Sequence, residues 1–266
     1  MSHEFLQKTS SSSSSTAATG ATQRGSPLPE VTLIVAATAQ HMGIGRAGSL
    51  PWPMLKREMA YFARVTRRLP PPVVPLKSES GGGGVMNNDD DDDARRKKKK
   101  KNAVVMGRKT WESIPERFRP LPGRWNVVLS TRGATTTTPT TGGEGAAGGV
   151  PEAVTAQSLE EALAYLRDVK QKKEGGGLGR VFVIGGAQIY RAALEMIQAR
   201  RVLLTRVRTD FECDTFFPLK LDEDGAPGWR RASQAEMDAW VGEEVPRGVQ
   251  SEAGTEYEFE MWERVD

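Results

Sequence analysis

Residues 181–197, VFVIGGAQIYRAALEMI, pass from an apolar run of strand length through two glycines into a helical pattern. A strand ending in glycine at a helix N-terminus brings free backbone N–H groups and the positive end of the helix dipole to one point. The same order occurs earlier in the chain. Ala103–Met106 (AVVM) is followed by Gly107, Arg108, Lys109, Thr110 and a helical WESI, and Asn126–Leu129 (NVVL) ends in Ser130, Thr131 and Arg132. At Gly107–Thr110 taken alone, two solvated cations, Arg108 and Lys109, at a helix start explain the residues equally well. Repetition favours a parallel α/β sheet whose ligands bind beyond the strand C-termini.

Outward from these strands, Val31–Ala37 (VTLIVAA) is continuously apolar, as suits a strand buried on both faces. Ser158–Lys170 supplies a crossover helix, with Ser158 as N-cap, Glu161 completing a capping box, and Leu159, Ala162, Leu163 and Leu166 as core. Arg201–Val207 is another strand, with Thr205 the polar residue in its apolar centre; its hydroxyl needs a partner, either Glu58 or nearby backbone. In Tyr257–Val265, Tyr257, Phe259 and Met261 alternate with glutamates, which predicts a half-exposed strand pairing antiparallel at one side of the sheet.

The stretch Thr38–Phe62, TAQHMGIGRAGSLPWPMLKREMAYF, contains a glycine-rich loop and then a helix that Pro53 opens and Pro70 ends. Its glycine spacing is wrong for a dinucleotide fingerprint, leaving an ordinary turn or a loop over a site. Counted at about 100° per residue, Leu55, Met59 and Phe62 form an apolar stripe flanked by Met54 and Val65, opposite Lys56, Arg57, Arg64, Arg67 and Arg68. Glu58 falls inside the apolar arc. Burial there would push its pKa upward, which marks either a functional acid or an ion-paired structural one.

The remaining composition sets limits. Residues 1–28 are Ser/Thr-rich, residues 70–101 carry GGGG, five aspartates and RRKKKKK, and residues 133–149 are Gly/Thr-rich. None has core-forming content, so one domain is expected over residues 29–266, interrupted at about 70–101 and 133–149. The net charge of +3 is concentrated in the first insertion, which holds eight Lys/Arg against six Asp/Glu, so overall basicity gives no argument for a nucleic-acid partner. The Arg95–Lys101 run could serve nuclear import or phosphate binding, but the neighbouring aspartates favour a solvated loop. One cysteine, Cys213, forbids an internal disulfide, and two histidines cannot build a usual zinc site, so no metal is expected. No apolar run approaches the roughly 18 residues of a membrane span. The N-terminus lacks a secretory h-region and, with Arg24 as its lone arginine and Glu4 acidic, reads as a disordered tail; a cytoplasmic protein is expected, without excluding a mitochondrial or nuclear pool.

Five segments, MGIGRAGSLPWPMLKREMAYF, MGRKTWESIP, RPLPGRWNVVLS, VFVIGGAQIY and TDFECDTFFP, occur in the order and with the character of dihydrofolate reductase, and the chain resembles the eukaryotic branch of that family over most of residues 30–265. The resemblance implies a single α/β domain: a central, mostly parallel eight-stranded sheet with an antiparallel C-terminal strand, flanked by helices. It implies NADPH-dependent reduction of 7,8-dihydrofolate to tetrahydrofolate, feeding one-carbon metabolism, by a monomer open to antifolate inhibitors. Glu58 then matches the carboxylate that bonds the pterin 2-amino group and N3, supported by Trp52 and Thr205. Leu50, Met59, Phe62, Ile114 and Leu121 match the apolar walls, joined by Ile184 and Tyr190, and Arg124 matches the arginine that grips the glutamyl α-carboxylate. Met59 stands where many members have phenylalanine.

For the cofactor, the resemblance places Ala37, Ile44 and the loop containing Gly45, Gly48 and Ser49 at the nicotinamide. Gly185 and Gly186 match a Gly-Gly pair usually joined by a cis peptide, followed by a helix start, Ala187, Gln188, Ile189 and Tyr190, at the pyrophosphate; Ile184 borders both ligands. Gly107, Arg108, Lys109, Thr110, Ser130 and Thr131 match the ribose-phosphate site. The cation that usually follows the LS dipeptide is here Thr131, with Arg132 one residue later, so either Arg132 or Arg108 meets the 2′-phosphate. Two other readings stand beside this one: a pyrimidine reductase of the same fold, disfavoured by LPWP before Glu58 and by Arg124, and a partner- or RNA-binding protein on a retired scaffold, disfavoured by the intact set of matches.

Overall fold

The computed structural model describes residues 26–70, 100–131, 153–171, 177–222 and 225–265. Nearly all of the N-terminal tail, most of the charged insertion, the Gly/Thr-rich run and Arg132 lie outside them.

The apolar runs become the middle of one sheet. Strands β1 (Val31–Thr38), β3 (Lys101–Gly107), β4 (Arg124–Leu129), β5 (Ala153–Ala156), β6 (Leu178–Val183) and β7 (Ala199–Val207) are all parallel, in the order β7-β1-β6-β3-β4-β5. Beyond β7 the path continues through β11 (Thr255–Arg264), antiparallel to it, and then β10 (Gln250–Glu252). These eight strands match the expected number; a ninth, β9 (Trp229–Arg231), pairs with the far end of β11.

Both faces of the sheet are covered, which explains why the central strands are apolar without alternation. In β3, Ala103 and Val105 face one core with Leu33, Val127 and Val183, while Val104 and Met106 face another with Ile34, Phe182 and Leu203. The first core is covered by α3 (Leu159–Gln171) and α4 (Ala187–Glu195), the second by α1 (Lys56–Arg67) and α5 (Gln234–Val241). Leu159, Ala162, Leu163 and Leu166 of α3 are buried as the spacing predicts. Its cap works nearly as expected: Glu161 N donates to Ser158 Oγ at 3.2 Å, while the Glu161 carboxylate reaches back one residue further and accepts from Gln157 N at 2.8 Å.

Three expectations need correction. The Tyr257–Val265 strand is not half-exposed: β11 is flanked on both sides, and Glu258 and Glu260 are buried because cations from β7 and the residue after it neutralise them. Arg206 donates to both oxygens of Glu260 at 2.7 and 2.8 Å, and Arg208 to Glu258 at 2.7 Å. The helix after Pro53 begins three residues later, at Lys56, because Leu55 is still extended, and it ends at Arg67. Its buried arc is Leu55, Tyr61, Val65 and Thr66, whereas Met54 and Met59 are exposed. The arc is rotated because Tyr61 packs on Phe259 of β11, with ring centroids 4.1 Å apart. At about 100° per residue this moves the centre of the arc onto Glu58.

Candidate active site

α1 packs on one face of the sheet, its first turn meeting β7 near that strand's C-terminal end and its last turn meeting the starts of β3 and β4, and it presents Glu58, Phe62 and Thr66 at spacings of four residues on one face. The first-turn acid meets the sheet at Thr205, whose Oγ1 donates to Glu58 Oε1 at 3.1 Å. Of the two partners open to Thr205, the carboxyl is therefore the one it takes. Burial pushes the Glu58 pKa up to about 7; the Thr205 hydrogen bond opposes that rise, and the charge of Glu252 adds to it. Around neutral pH this acid is therefore divided between its two protonation states. Trp52 is buried in the same apolar cluster as Leu55 and Tyr61, edge-on to Phe211 at 6.0 Å.

The wall residues come together. Phe62, Ile114, Leu121 and Ile184 are all half-buried against this one cluster, while Leu50 and Met59, 53% and 45% exposed, stand open to solvent. Leu121 is held from behind by Asn126, whose Oδ1 accepts from Leu121 N at 2.9 Å and whose Nδ2 donates to Leu121 O at 3.1 Å. Tyr190 is deeper than a wall residue needs to be. Its hydroxyl donates to Ile34 O at 2.7 Å, leaving only the side of the ring beside Gly185 facing the strand ends.

Two turns of helix beyond Glu58, Thr66 Oγ1 accepts from Arg124 Nη1 at 2.7 Å, and Arg124 Nε donates to Pro122 O at 3.2 Å. Arg124 is 3% exposed, its guanidinium lies 6.0 Å from the Phe62 ring, and no carboxylate is paired with it among the described residues. Burial, with Arg67 nearby, lowers its pKa to about 10, so it remains a cation. A desolvated guanidinium of this kind calls for a carboxylate from elsewhere. Acid, aromatic wall and buried cation are thus spread over about 12 Å of helix, given a rise of about 1.5 Å per residue.

A second half-site lies on the adjacent ends of β3 and β6. Gly107 N donates to Gly185 O at 2.8 Å, which sets the start of α2 (Arg108–Ser113) beside the start of α4. The Gly185–Gly186 peptide is cis, with Gly185 at φ 117°. A Cβ on Gly107 would stand 3.2 Å from Ile189 Cγ1, closer than side chains ordinarily pack, so glycine lets β3 and α4 close up here, while one on Gly186 would meet Thr110 Oγ1 at an ordinary 3.5 Å. Ala187 and Gln188 open α4 at this point. Arg108 is ion-paired with Glu112 at 2.6 Å, and Lys109 beside it is exposed. Ser130 and Thr131 follow β4, with Ser130 N donating to Ala156 O. Ala37 is buried at the end of β1.

The glycine-rich loop is more ordered than a simple loop. β2 (Gly43–Gly45), containing half-buried Ile44, pairs antiparallel with β8 (Thr215–Phe216). A Cβ on Gly43 would lie 2.3 Å from Cys213 Sγ, so only glycine fits. The Asp214 carboxylate accepts from Ala47 N at 2.7 Å, and Arg46 and Ser49 exchange backbone hydrogen bonds around Gly48.

Thr66, Asn126, Phe211 and Glu252 were not singled out from the sequence. Thr66 had a usable signal, its place eight residues after Glu58 on the same face; the others act only through chain reversal. A cavity of about 260 Å³ lined by Tyr61, Pro246, Gln250, Tyr257 and Phe259 among others does not include Glu58 and is separate from this site. Among the described residues no group of three or more His, Cys, Asp or Glu side chains could hold a metal ion, and no helix is long and apolar enough to cross a membrane.

Comparison with known proteins agrees with this geometry. The sequence profile of the family described as "Dihydrofolate reductase" matches residues 89–244. The chain is 39% identical over 235 residues to the dihydrofolate reductase of Pneumocystis carinii, covering 88% of this chain and 96% of that one. It is 36% identical over 260 residues to that of Cryptococcus neoformans, covering 89% and 96%. Among solved structures it resembles Schistosoma mansoni dihydrofolate reductase, with a TM-score of 0.60 and 27% identity, covering 90% of this chain and all of that one.

Proposed function

Because this chain belongs to the dihydrofolate reductase family, we propose that it reduces 7,8-dihydrofolate to 5,6,7,8-tetrahydrofolate with NADPH as reductant, and so supplies one-carbon metabolism. The observation that carries the reading is the face of α1, where Glu58, Phe62 and the Thr66–Arg124 pair offer an acid, an aromatic wall and a buried cation in line. Dihydrofolate has the complementary order: a pterin with N–H donors, a benzoyl ring and an α-carboxylate.

In this reading the Glu58 carboxylate accepts from the pterin 2-amino group and N3, and Thr205 fixes the carboxylate. That negative charge raises the basicity of N5, which takes its proton from water. Phe62, Ile114, Leu121 and Ile184 exclude bulk water and set the ring orientation, with Met59 and Leu50 at the mouth. Arg124 grips the α-carboxylate with its planar fork.

The paired helix starts at Gly107 and Gly186, and the close packing that Gly107 allows against Ile189, support a dinucleotide phosphate site. Thr110, Ser130, Thr131 and Lys109 would hold the ribose phosphate, with Arg108 the described cation for the 2′-phosphate once it leaves Glu112. Ala37, Ile44, Gly45, Ser49 and Ile184 would border the nicotinamide. When bound, NADPH supplies the hydride for C6 of the pterin. A cytoplasmic monomer inhibited by antifolates completes the proposal.

Equilibrium binding tests it. Titration of each ligand against tryptophan fluorescence should give saturable quenching by dihydrofolate and by NADPH, with NADH binding at least about tenfold more weakly for want of the 2′-phosphate contacts. Saturable binding of neither ligand would overturn the reading.

A further inference from the structure

Glu252 sits at the turn between β10 and β11, where Ala253 and Gly254 have φ of 51° and 74°. Its carboxylate crosses to α1. Oε1 accepts from Lys56 N at 2.7 Å, and Arg57 N donates to Oε2 at 3.0 Å and Oε1 at 3.2 Å. These are the first two N–H groups of the helix, which the helix cannot satisfy itself, and Leu55 at the N-cap has no side chain able to accept them. Glu252 therefore does the work of a capping serine or aspartate from almost two hundred residues away. The hairpin is tied down further: Tyr257 Oη donates to Glu252 Oε2 at 3.3 Å, and the Arg57 guanidinium lies 3.8 Å from the same oxygen and donates to Ser251 O. Glu58 is the next residue along this helical turn.

We propose that Glu252 is a positioning residue for Glu58: it fixes the first turn of α1 against the C-terminal hairpin, so that the acid meets Thr205, and it sets a like charge beside that acid. Thr205 from β7 is bonded to Glu58, and Tyr190 from α4, Tyr61 from its own helix, Tyr257 from β11 and Glu252 from β10 are the titratable groups coupled to it electrostatically. Burial holds all three phenols well above their ordinary range, so they are neutral at physiological pH. Among the described residues Glu252 is thus the charged group that acts on Glu58 from another element, and its charge adds to the effect of burial. Arg57, which faces Glu252, partly offsets that charge. The assignment rests on the reading of Glu58 as the pterin anchor.

Two variants separate the cap from the charge. Glu252→Gln keeps an oxygen for Lys56 N and Arg57 N and loses the charge; Glu252→Ala loses both. The Glu58 carboxyl is followed by carbon NMR on glutamate-labelled protein, its signal assigned by its loss in Glu58→Gln. In Glu252→Gln the Glu58 midpoint should move to lower pH with the melting temperature little changed, and the pH profile of kcat should move the same way. In Glu252→Ala the melting temperature should also fall and the dihydrofolate KM should rise roughly threefold, the scale of a lost helix cap. A Glu58 midpoint that stays put or rises in Glu252→Gln overturns the electrostatic part, and an unchanged melting temperature and KM in Glu252→Ala overturn the positioning part. The NMR titration needs no turnover, so a chain without reductase activity would defeat the proposed function while this coupling would still be measured.

Discussion

Glu58 is costly to the fold and useful to the site. Its pKa of about 7 against an ordinary 4.5 means that between those values the folded chain holds more protons than the unfolded one. The Glu58 contribution to stability is therefore greatest below about 4.5 and falls as pH rises towards 7. Glu58→Gln should remove this contribution and, above pH 7, raise stability by on the order of 3 kcal/mol, measured by chemical denaturation across that range. The same substitution should lower kcat at least about tenfold at neutral pH, since the amide cannot supply the negative charge beside the pterin. At the other end of the stripe, Arg124→Ala should raise the dihydrofolate KM by roughly tenfold or more with a smaller change in kcat, as expected for a lost charged hydrogen bond that serves binding. An unchanged KM would count against its role. Glu58 and Thr205 were legible in the sequence because each is a polar residue inside an apolar pattern. Met59 was misplaced because periodicity alone cannot tell whether Met59 or Tyr61, two residues on and nearly opposite it, will face the sheet; Phe259 decides that, and it lies some two hundred residues away.

At the scale of elements, α1 is held at each end by side chains from elsewhere. Glu252 holds its start, and at its end Asn102 Nδ2 donates to Thr66 O at 3.0 Å and Arg68 O at 2.8 Å, while Asn102 Oδ1 accepts from Arg180 N at 2.8 Å. Asn102 is fully buried on β3, so Asn102→Ala strands several polar groups. It should cost on the order of 3 kcal/mol in chemical denaturation and, by loosening Thr66 and hence Arg124, weaken dihydrofolate binding more than NADPH binding. Equal weakening of both ligands would argue against transmission through α1. The crossover helix α3 was readable from its own residues, Ser158 and Glu161 at its start and leucines along one face, since capping and periodicity are local. The true start of α1 was not, because its cap comes from β10 and leaves no mark near Pro53.

Across the whole molecule, continuous apolar strands announced a sheet covered on both faces, and glycines at strand ends announced where two helix starts meet. Six of the eight strands on the path carry an apolar run or alternation; β5 and β10 do not, and the number eight comes from the family resemblance. What these signals could not supply is the burial of β11, whose Glu258 and Glu260 look solvent-facing until Arg206 of β7 and Arg208 just beyond it are set beside them. The proposed site draws on β1, β2, β3, β4, β6, β7, α1, α2 and α4, all in described parts of the chain. Replacing residues 71–99 by a short Gly/Ser linker should therefore leave kcat/KM for dihydrofolate within roughly threefold of the parent chain, a change of under about 1 kcal/mol; a loss of a hundredfold would assign the insertion a part in the reaction. The central claim meets its most direct test in the loss of NADPH absorbance with and without dihydrofolate, run on the parent chain and on Glu58→Gln at neutral pH. Rapid oxidation that requires dihydrofolate in the parent, reduced at least about tenfold in the variant, is the expected result. No dihydrofolate-dependent oxidation in the parent, or equal rates in the two proteins, would contradict it.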